Sequence, residues 1–343
     1  MPHVLVLATG GTIASRTRPD GAAVAADPAE RLLLSVPALP AAITVETRDV
    51  LRANSFALTH ADLRTIAEAV ATAVARDDVD GVVVTHGTDT LEETAALLQL
   101  VTDDPRPVVL TGAQRAADAP GGDGPGNLRD AIVVAASDAA RGAGALVVFA
   151  SRIHAADGVA KARTLDADAF APRDGEPVGR VAGDQVALAA PARALPPLPQ
   201  PTPRFDGIRV DCVSVHPGSD AALFRAAVAA GARAVVVIGT GAGNTNSALV
   251  PEIEAATRAG ILVALGTRVA HGPVAAIYGD GGAADAVRAG AVPLGRLSVA
   301  QARILIALLL DHHPVAVARR LLADAAASPT TALPHPAGSP TPA

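Results

Sequence analysis

The chain has 343 residues, half of them apolar but only 2% aromatic, and a formal net charge of −6 at pH 7. That length suits two domains with cores built from Val, Leu, Ile and Ala. An acidic chain without a basic run argues against nucleic acid as a partner, the lone Cys212 excludes an intrachain disulfide and a cysteine-ligated metal cluster, and no apolar run of about 18 residues is present to span a membrane.

Residues 3–8, HVLVLA, read as a first strand. No basic segment leads into an apolar run before it, so no secretory signal is expected and the expected location is cytoplasmic. The glycine-rich turn TGGTIAS follows at 9–15. Residues 16–26 are rich in Gly and Ala without periodicity and read as a mobile loop. Asp27, Pro28 and Glu30 mark the N-cap, first and third positions of a helix. A strand near 43–50 precedes a helix over about 60–76, opened by Thr59 and Asp62 at capping-box spacing. Val82, Val83 and Val84 form the β-branched run of a parallel strand buried on both faces. The polar turn THGTD at 85–89 comes next. Thr90, three before Glu93, predicts a capped helix over about 91–101. A strand near 107–111, a helix opened by Asn127 and Asp130 and running to about 139, and LVVFA at 146–150 continue the alternation.

From about 151 to 190 the pattern is irregular, and 191–203, PARALPPLPQPTP, reads as an extended linker. The rhythm then restarts: strand 208–215, helix 220–230, strand 234–239, a helix near 247–259, strand 261–265. Ser298 and Gln301 cap a strongly apolar helix to about 310, and a shorter one runs to about 326. Strands alternating with helices predict an α/β protein. Its larger N-terminal part is a doubly wound, mostly parallel sheet of flavodoxin-like type, and its smaller C-terminal part is a second α/β domain. The expected division is 1–190, a linker at 191–206, a second domain at 207–327, and a disordered tail at 328–343 rich in Ser, Thr, Pro, Ala and Gly.

Ligands of open α/β sheets bind beyond the carboxyl ends of the strands, where both polar turns fall. Gly10 and Gly11 let backbone approach a ligand closely, and the turn stands open between a plain glycine turn after a strand and a site where Thr12 could sit as a nucleophile with an adjacent oxyanion hole. The spacing is neither a Walker motif nor a dinucleotide fingerprint. Thr88 offers a second hydroxyl and Asp89 an acceptor for a substrate ammonium. His86 stands open between a general base and a packed structural histidine. Lys161 is the only lysine beside 27 arginines, since Lys and Arg together number 28. It stands open between a surface residue and a desolvated base, a role closed to arginine. GAGNTN at 241–246 is either a loop presenting Asn244 and Asn246 to a ligand or a plain β-to-α turn. GAQR at 112–115 and DGPGN at 123–127 read as structural turns on the same sheet edge.

TGGTIA at 9–14 and HGTDTLEETA at 86–95 together resemble the two signature motifs of the bacterial-type L-asparaginase family. GAQR, DGPGN, the Lys161 segment and GAGNTN match in order, so the resemblance covers about residues 1–325. It implies an amidohydrolase that converts L-asparagine, with glutamine as a second candidate, to the acid and ammonia. It implies no cofactor and no metal. By resemblance Thr12 is the nucleophile, Thr88 positions the attacking water, Lys161 takes up its proton and Asp89 holds the substrate ammonium. Ser55 binds the substrate carboxylate, and N–H groups near Gly11 and Thr88 form the oxyanion hole. The family's usual assembly implies a homotetramer or homodimer, with Asn246 contributed across an interface.

The sequence departs from the family in two places. The loop SRTRPDGAAVAAD at 15–27 lacks the tyrosine many members carry, with Ala22 or Ala23 where it would fall, and the only tyrosine is Tyr278. Phe56 follows Ser55 where some members have a polar residue. The alternatives are a non-catalytic amino-acid sensor on the same fold, and an amidase subunit of a tRNA-dependent amidotransferase. The second is expected to carry an additional N-terminal domain, for which there is no room before Val4.

Overall fold

The structure, a computed structural model, describes residues 1–20, 22–25, 27–189 and 195–327. The expected tail at 328–343 and the start of the expected linker lie outside the described residues. The chain opens with β1 (His3–Gly10), a short antiparallel hairpin of β2 (Ser15–Thr17) and β3 (Ala23–Ala25), α1 (Ala29–Leu34) and β4 (Thr44–Ala53). Then come α2 (His60–Val74), β5 (Gly81–Thr85), α3 (Leu91–Val101), β6 (Val108–Thr111), α4 (Gly124–Ala135) and β7 (Ala145–Phe149). The irregular stretch forms β8 (Arg152–Ala155), β9 (Val159–Lys161), β10 (Phe170–Pro172), β11 (Gly179–Ala182) and β12 (Gln185–Leu188).

The main sheet runs β12-β11-β8-β7-β6-β5-β1-β4. Its five strands from β4 to β7 are parallel, and β8, β11 and β12 join antiparallel. Counted in chain order, the parallel strands stand 2-1-3-4-5, the flavodoxin-like order, with the switch point between β1 and β5. Alternate residues of β1 serve the two faces. Leu5 and Leu7 pack under α2 and α3, and Val4 and Val6 pack under α4. Val82, Val83 and Val84 divide the same way and are all fully buried, as their β-branched run predicts.

The C-terminal domain is β13 (Val210–Ser214), α5 (Ala222–Ala229), β14 (Ala234–Gly239), α6 (Val250–Arg258), β15 (Leu262–Thr267), α7 (Ala283–Arg288) and β16 (Val292–Pro293), a parallel sheet in sequential order. It ends in α8 (Val299–His312) and α9 (Val315–Ala327). α8 lies between α3 and strands β13 and β14, so one apolar core is shared by both sheets. No helix among the described residues is long and apolar enough to cross a membrane.

Several local expectations are corrected. The loop at 16–26 contains the β2–β3 hairpin, because the turn at Arg18 closes on Ala22 and Asp118 accepts from Thr17. α1 begins at Ala29 with Pro28 as N-cap, and Asp27 instead pairs with Arg16 at 2.7 Å. α4 begins at Gly124, so Asn127 lies inside it. Its amide donates to the Gly112 carbonyl and accepts from the Ala150 N–H. Thr90 does not cap α3, since its hydroxyl donates to the Ser55 carbonyl at 2.9 Å. The Thr59–Asp62 box and the Ser298 cap form as their spacing predicts. Residues 198–202 lie against the body: the Leu198 N–H donates to Leu100, the Gln200 amide to Val101, and Thr202 to Asp311.

Candidate active site

The strands of the switch point deliver two turns into contact. β1 ends in Gly10 and Gly11, both at positive φ, and a short 3-10 turn, Thr12–Ala14, follows. A Cβ on Gly11 would lie 2.3 Å from the Gly87 nitrogen, so only glycine lets the turn after β1 rest on the turn after β5. Thr12 and Thr88 each stand one residue beyond that contact. Thr12 is half-buried at the head of its turn, and its hydroxyl has no hydrogen-bond partner among the described residues. The turn itself is tied by Ser15, whose hydroxyl donates to the Gly11 carbonyl at 2.9 Å.

Ser55 opens a second 3-10 turn after β4, Ser55–Ala57, and is buried. A Cβ on Gly87 would lie 2.6 Å from its hydroxyl oxygen, which places Ser55 directly against the 87–88 backbone. Phe56 beside it is exposed. The Thr90 hydroxyl bond to the Ser55 carbonyl fixes the two turns together.

The densest polar contacts centre on Lys161, at the end of β9. Its ammonium donates to Thr88 Oγ1 at 2.8 Å and to Asp89 Oδ1 at 2.6 Å. Its side chain is 18% exposed and that of Asp89 52%, so the pair sits at the mouth of the site rather than in the core. Lys161 is thus part-buried and paired on both sides of its ammonium. Thr88 Oγ1 donates to Gln114 Oε1 at 2.9 Å, and the Gln114 amide donates to the Thr164 carbonyl. The Gln114 and Arg115 N–H groups are held by the Asp123 carboxylate. GAQR and DGPGN are thus structural turns in part, but Gln114 reaches the cluster, which its sequence position after β6 alone did not show.

His86 is fully buried. Its Nδ1–H donates to the Gly87 carbonyl at 2.7 Å, and Nε2 meets the Thr94 hydroxyl at 2.9 Å. Burial pushes its pKa down to about 4, so it is neutral at physiological pH and shapes the turn. Of its two open readings, the packed histidine holds. Glu92 has the opposite shift. Burial first, then the Glu93 charge, raise its carboxyl to about 7, against the Lys161 N–H that it accepts at 2.9 Å.

Asn246 is not joined to this cluster by any hydrogen bond. Its amide nitrogen donates to Ser219, and its oxygen accepts the Ala248 and Leu249 N–H groups ahead of α6. Asn244 accepts the Ala283 N–H. Tyr278 lies exposed in the second domain, and no tyrosine stands in the β2–β3 hairpin.

A paired hydroxyl and lysine beside a free threonine hydroxyl, with an ion-paired carboxylate, is equipment for acyl transfer and proton relay. The family comparisons agree with the geometry. The family described as "Asparaginase, N-terminal" matches residues 3–193, and "Glutaminase/Asparaginase C-terminal domain" matches 209–319. A probable L-asparaginase of Deinococcus radiodurans is 37% identical over 322 residues, covering 91% of this chain and 94% of that one. A glutaminase-asparaginase of Pseudomonas aeruginosa is 33% identical, covering 79% and 77%. The crystal structure of a probable cytoplasmic L-asparaginase from Campylobacter jejuni superposes with a TM-score of 0.82 at 26% identity, over 96% of this chain and all of that one. With both of its domains matched in order, the chain belongs to the asparaginase family.

Proposed function

We propose that the protein is an L-asparaginase that hydrolyses L-asparagine to L-aspartate and ammonia. One observation carries the reading: Lys161 Nζ bonded to both Thr88 Oγ1 and Asp89 Oδ1, on the turn that touches the Thr12 turn. Thr12 Oγ1 attacks the side-chain amide carbon, its proton passes to the amide nitrogen, the C–N bond breaks and ammonia leaves. Water then cleaves the aspartyl ester on Thr12, and the Thr12 oxygen regains a proton as aspartate departs. Thr88 orients that water, and Lys161 Nζ, 2.8 Å from Thr88 Oγ1, stands where the proton released is to be taken up. The Thr88 N–H, which has no partner among the described residues, and the backbone at Gly11 take the oxyanion. Ser55 binds the substrate carboxylate, and Asp89 exchanges part of its contact with Lys161 for the substrate ammonium.

Assembly belongs to the same reading. Asn246 has no hydrogen bond to the cluster among the described residues, so the role given to it requires a second copy, in a dimer or tetramer with sites between subunits. A cytoplasmic setting follows the name of the Campylobacter jejuni relative. The test is ammonia release by the purified full chain with asparagine, with glutamine and without substrate. Asparagine should be turned over, and Thr12→Ala should remain folded and lose several orders of magnitude. A Thr12→Ala protein keeping more than about a tenth of the activity, a loss of only ~1.4 kcal/mol, would overturn the nucleophile assignment.

A further inference from the structure

β9 and β10 form a ribbon apart from the main sheet, with Lys161 opposite Phe170 and Ala160 opposite Ala171. The Ala162 N–H donates to the Ala169 carbonyl at 2.8 Å, so 162 and 169 are a hydrogen-bonded pair. In an antiparallel ladder such pairs alternate with non-bonded ones, which makes Lys161–Phe170 a non-bonded pair. The Lys161 N–H therefore points away from β10, and the ribbon cannot satisfy it. Glu92, in the first turn of α3, supplies the acceptor at 2.9 Å. The other end of β9 is held by the buried Gln301 of α8. Its oxygen accepts the Gly158 N–H, and its nitrogen donates to the Ala156 and Val159 carbonyls.

We propose that Glu92 is a positioning residue for Lys161: its carboxylate fixes the β9 backbone, and loss of its charge loosens the hold on Lys161 and so on the Thr88–Asp89 contact. Lys161 is thereby gripped at both ends by one segment, its ammonium by Thr88 and Asp89 and its backbone by Glu92. An anionic acceptor makes a stronger bond than a neutral one, so the grip depends on ionisation. Burial and Glu93 bring that ionisation to about pH 7.

The charged and titratable groups around Glu92 are few. Glu93 shares its helix, Asp89 the preceding turn and Lys161 the facing strand, and Arg303 of α8 acts on Glu93. On α2, His60 meets Arg303, Asp62 caps with Thr59, and Arg64 pairs with Glu68 and Asp206. At the turns flanking the ribbon, Asp157 accepts from Gln99, and Arg152 and Arg163 pair with Asp168. Strands β6 and β7 bring no charge. Glu92 is thus the titratable group bonded directly to the Lys161 backbone.

Because Lys161 is the only lysine, lysine labelled with 15N gives a single backbone amide resonance for this strand. In the wild-type chain that resonance should shift between about pH 5.5 and 8.5 with a midpoint near 7. Glu92→Gln, which keeps an acceptor but does not titrate, should abolish the shift. A resonance that does not move, or that moves equally in Glu92→Gln, overturns the proposal. The kinetic arm rests on the asparaginase reading. Glu92→Gln, an acceptor held without charge at every pH, should lower kcat above pH 7 several-fold, towards the wild-type value below 7, and lose the ionisation near 7 from the pH profile. Glu92→Ala should lose on the order of 10²-fold in kcat with a smaller change in KM. A Glu92→Ala enzyme with unchanged kcat overturns the positioning role. If the wild-type chain releases no ammonia, the asparaginase reading fails while the resonance still decides on Glu92.

Discussion

Lys161 and His154 show how differently a single buried or half-buried cation-former is treated in this fold. Lys161 has two oxygen partners within 2.8 Å. If it only anchors Asp89, Lys161→Arg should cost little and Lys161→Met a great deal. If it is the proton acceptor, both should lose about 10²–10⁴-fold in kcat, because guanidinium does not deprotonate in proteins. The second outcome is expected, and a Lys161→Arg enzyme with near-normal kcat and an unchanged pH profile would leave only the anchor. His154 on β8 is buried, and neither ring nitrogen has a hydrogen-bond partner among the described residues. Burial, then the Arg152 charge, lower its pKa to about 4. Its folded pKa lies below the unfolded one, so the unfolded chain binds the extra proton between about 4 and 6.5. Stability contributed at this position therefore falls as pH drops through that window. His154→Leu should melt higher than wild type, and the gap in Tm should widen from pH 7 towards 4.5. A gap independent of pH would show that His154 does not titrate with folding.

At the scale of elements, two threonines at matching helix starts behave oppositely. Thr59 makes both halves of its capping box with Asp62, so Thr59→Ala should cost ~1 kcal/mol of stability and leave activity unchanged. Thr90 sits at the same spacing from Glu93, yet its hydroxyl bonds to the Ser55 carbonyl across the site. Thr90→Ala should release the Ser55 turn and raise KM for asparagine, which chemical denaturation and steady-state kinetics on the two variants would separate. Equal effects on KM would place both residues in ordinary caps. The reason for the difference lies in the chain that meets each helix start: Ser55, 35 residues away, offers Thr90 an oxygen that its own backbone does not.

For the whole molecule the decisive question is where Asn246 acts. Within one chain its amide is engaged by Ser219 and by the start of α6. If it completes a neighbour's site, an inactive Thr12 variant mixed with an inactive Asn246 variant should regain part of the activity through hybrid sites. No recovery, with subunit exchange shown by mass, would mean that the site is built within one chain. The shared core around α8 gives a route between the domains, since α8 packs on α3 and carries Gln301, which holds the β9 turn.

Much of this architecture was written in short-range signals. The runs LVLA and VVV need both faces covered whatever surrounds them, and the order of strands and helices then leaves few topologies. The glycines at 10 and 11 mark a backbone conformation that other residues resist, so the first turn was legible at once. The same holds for Thr88, Asp89 and Lys161 as chemistry-bearing side chains, although their meeting was not. Distance in the chain set the limit. Lys161 is 73 residues from Thr88, and a ribbon of two short strands in an apparently irregular stretch brings it there. His86 is neutral because the body around it excludes water, and Glu92 accepts an N–H of a distant strand that the strand's own ribbon does not bond. Gln114, Thr90 and the β2–β3 hairpin likewise take their roles from partners far along the chain. Local backbone preference and the need to bury apolar runs act within a few residues, so the sequence alone determined the alternating strands and helices and the two glycine- and threonine-rich turns, but not the β2–β3 hairpin or the strands β8 to β12. Desolvation and hydrogen-bond choice depend on every segment that arrives, so only the tertiary structure decided which side chains those turns would join.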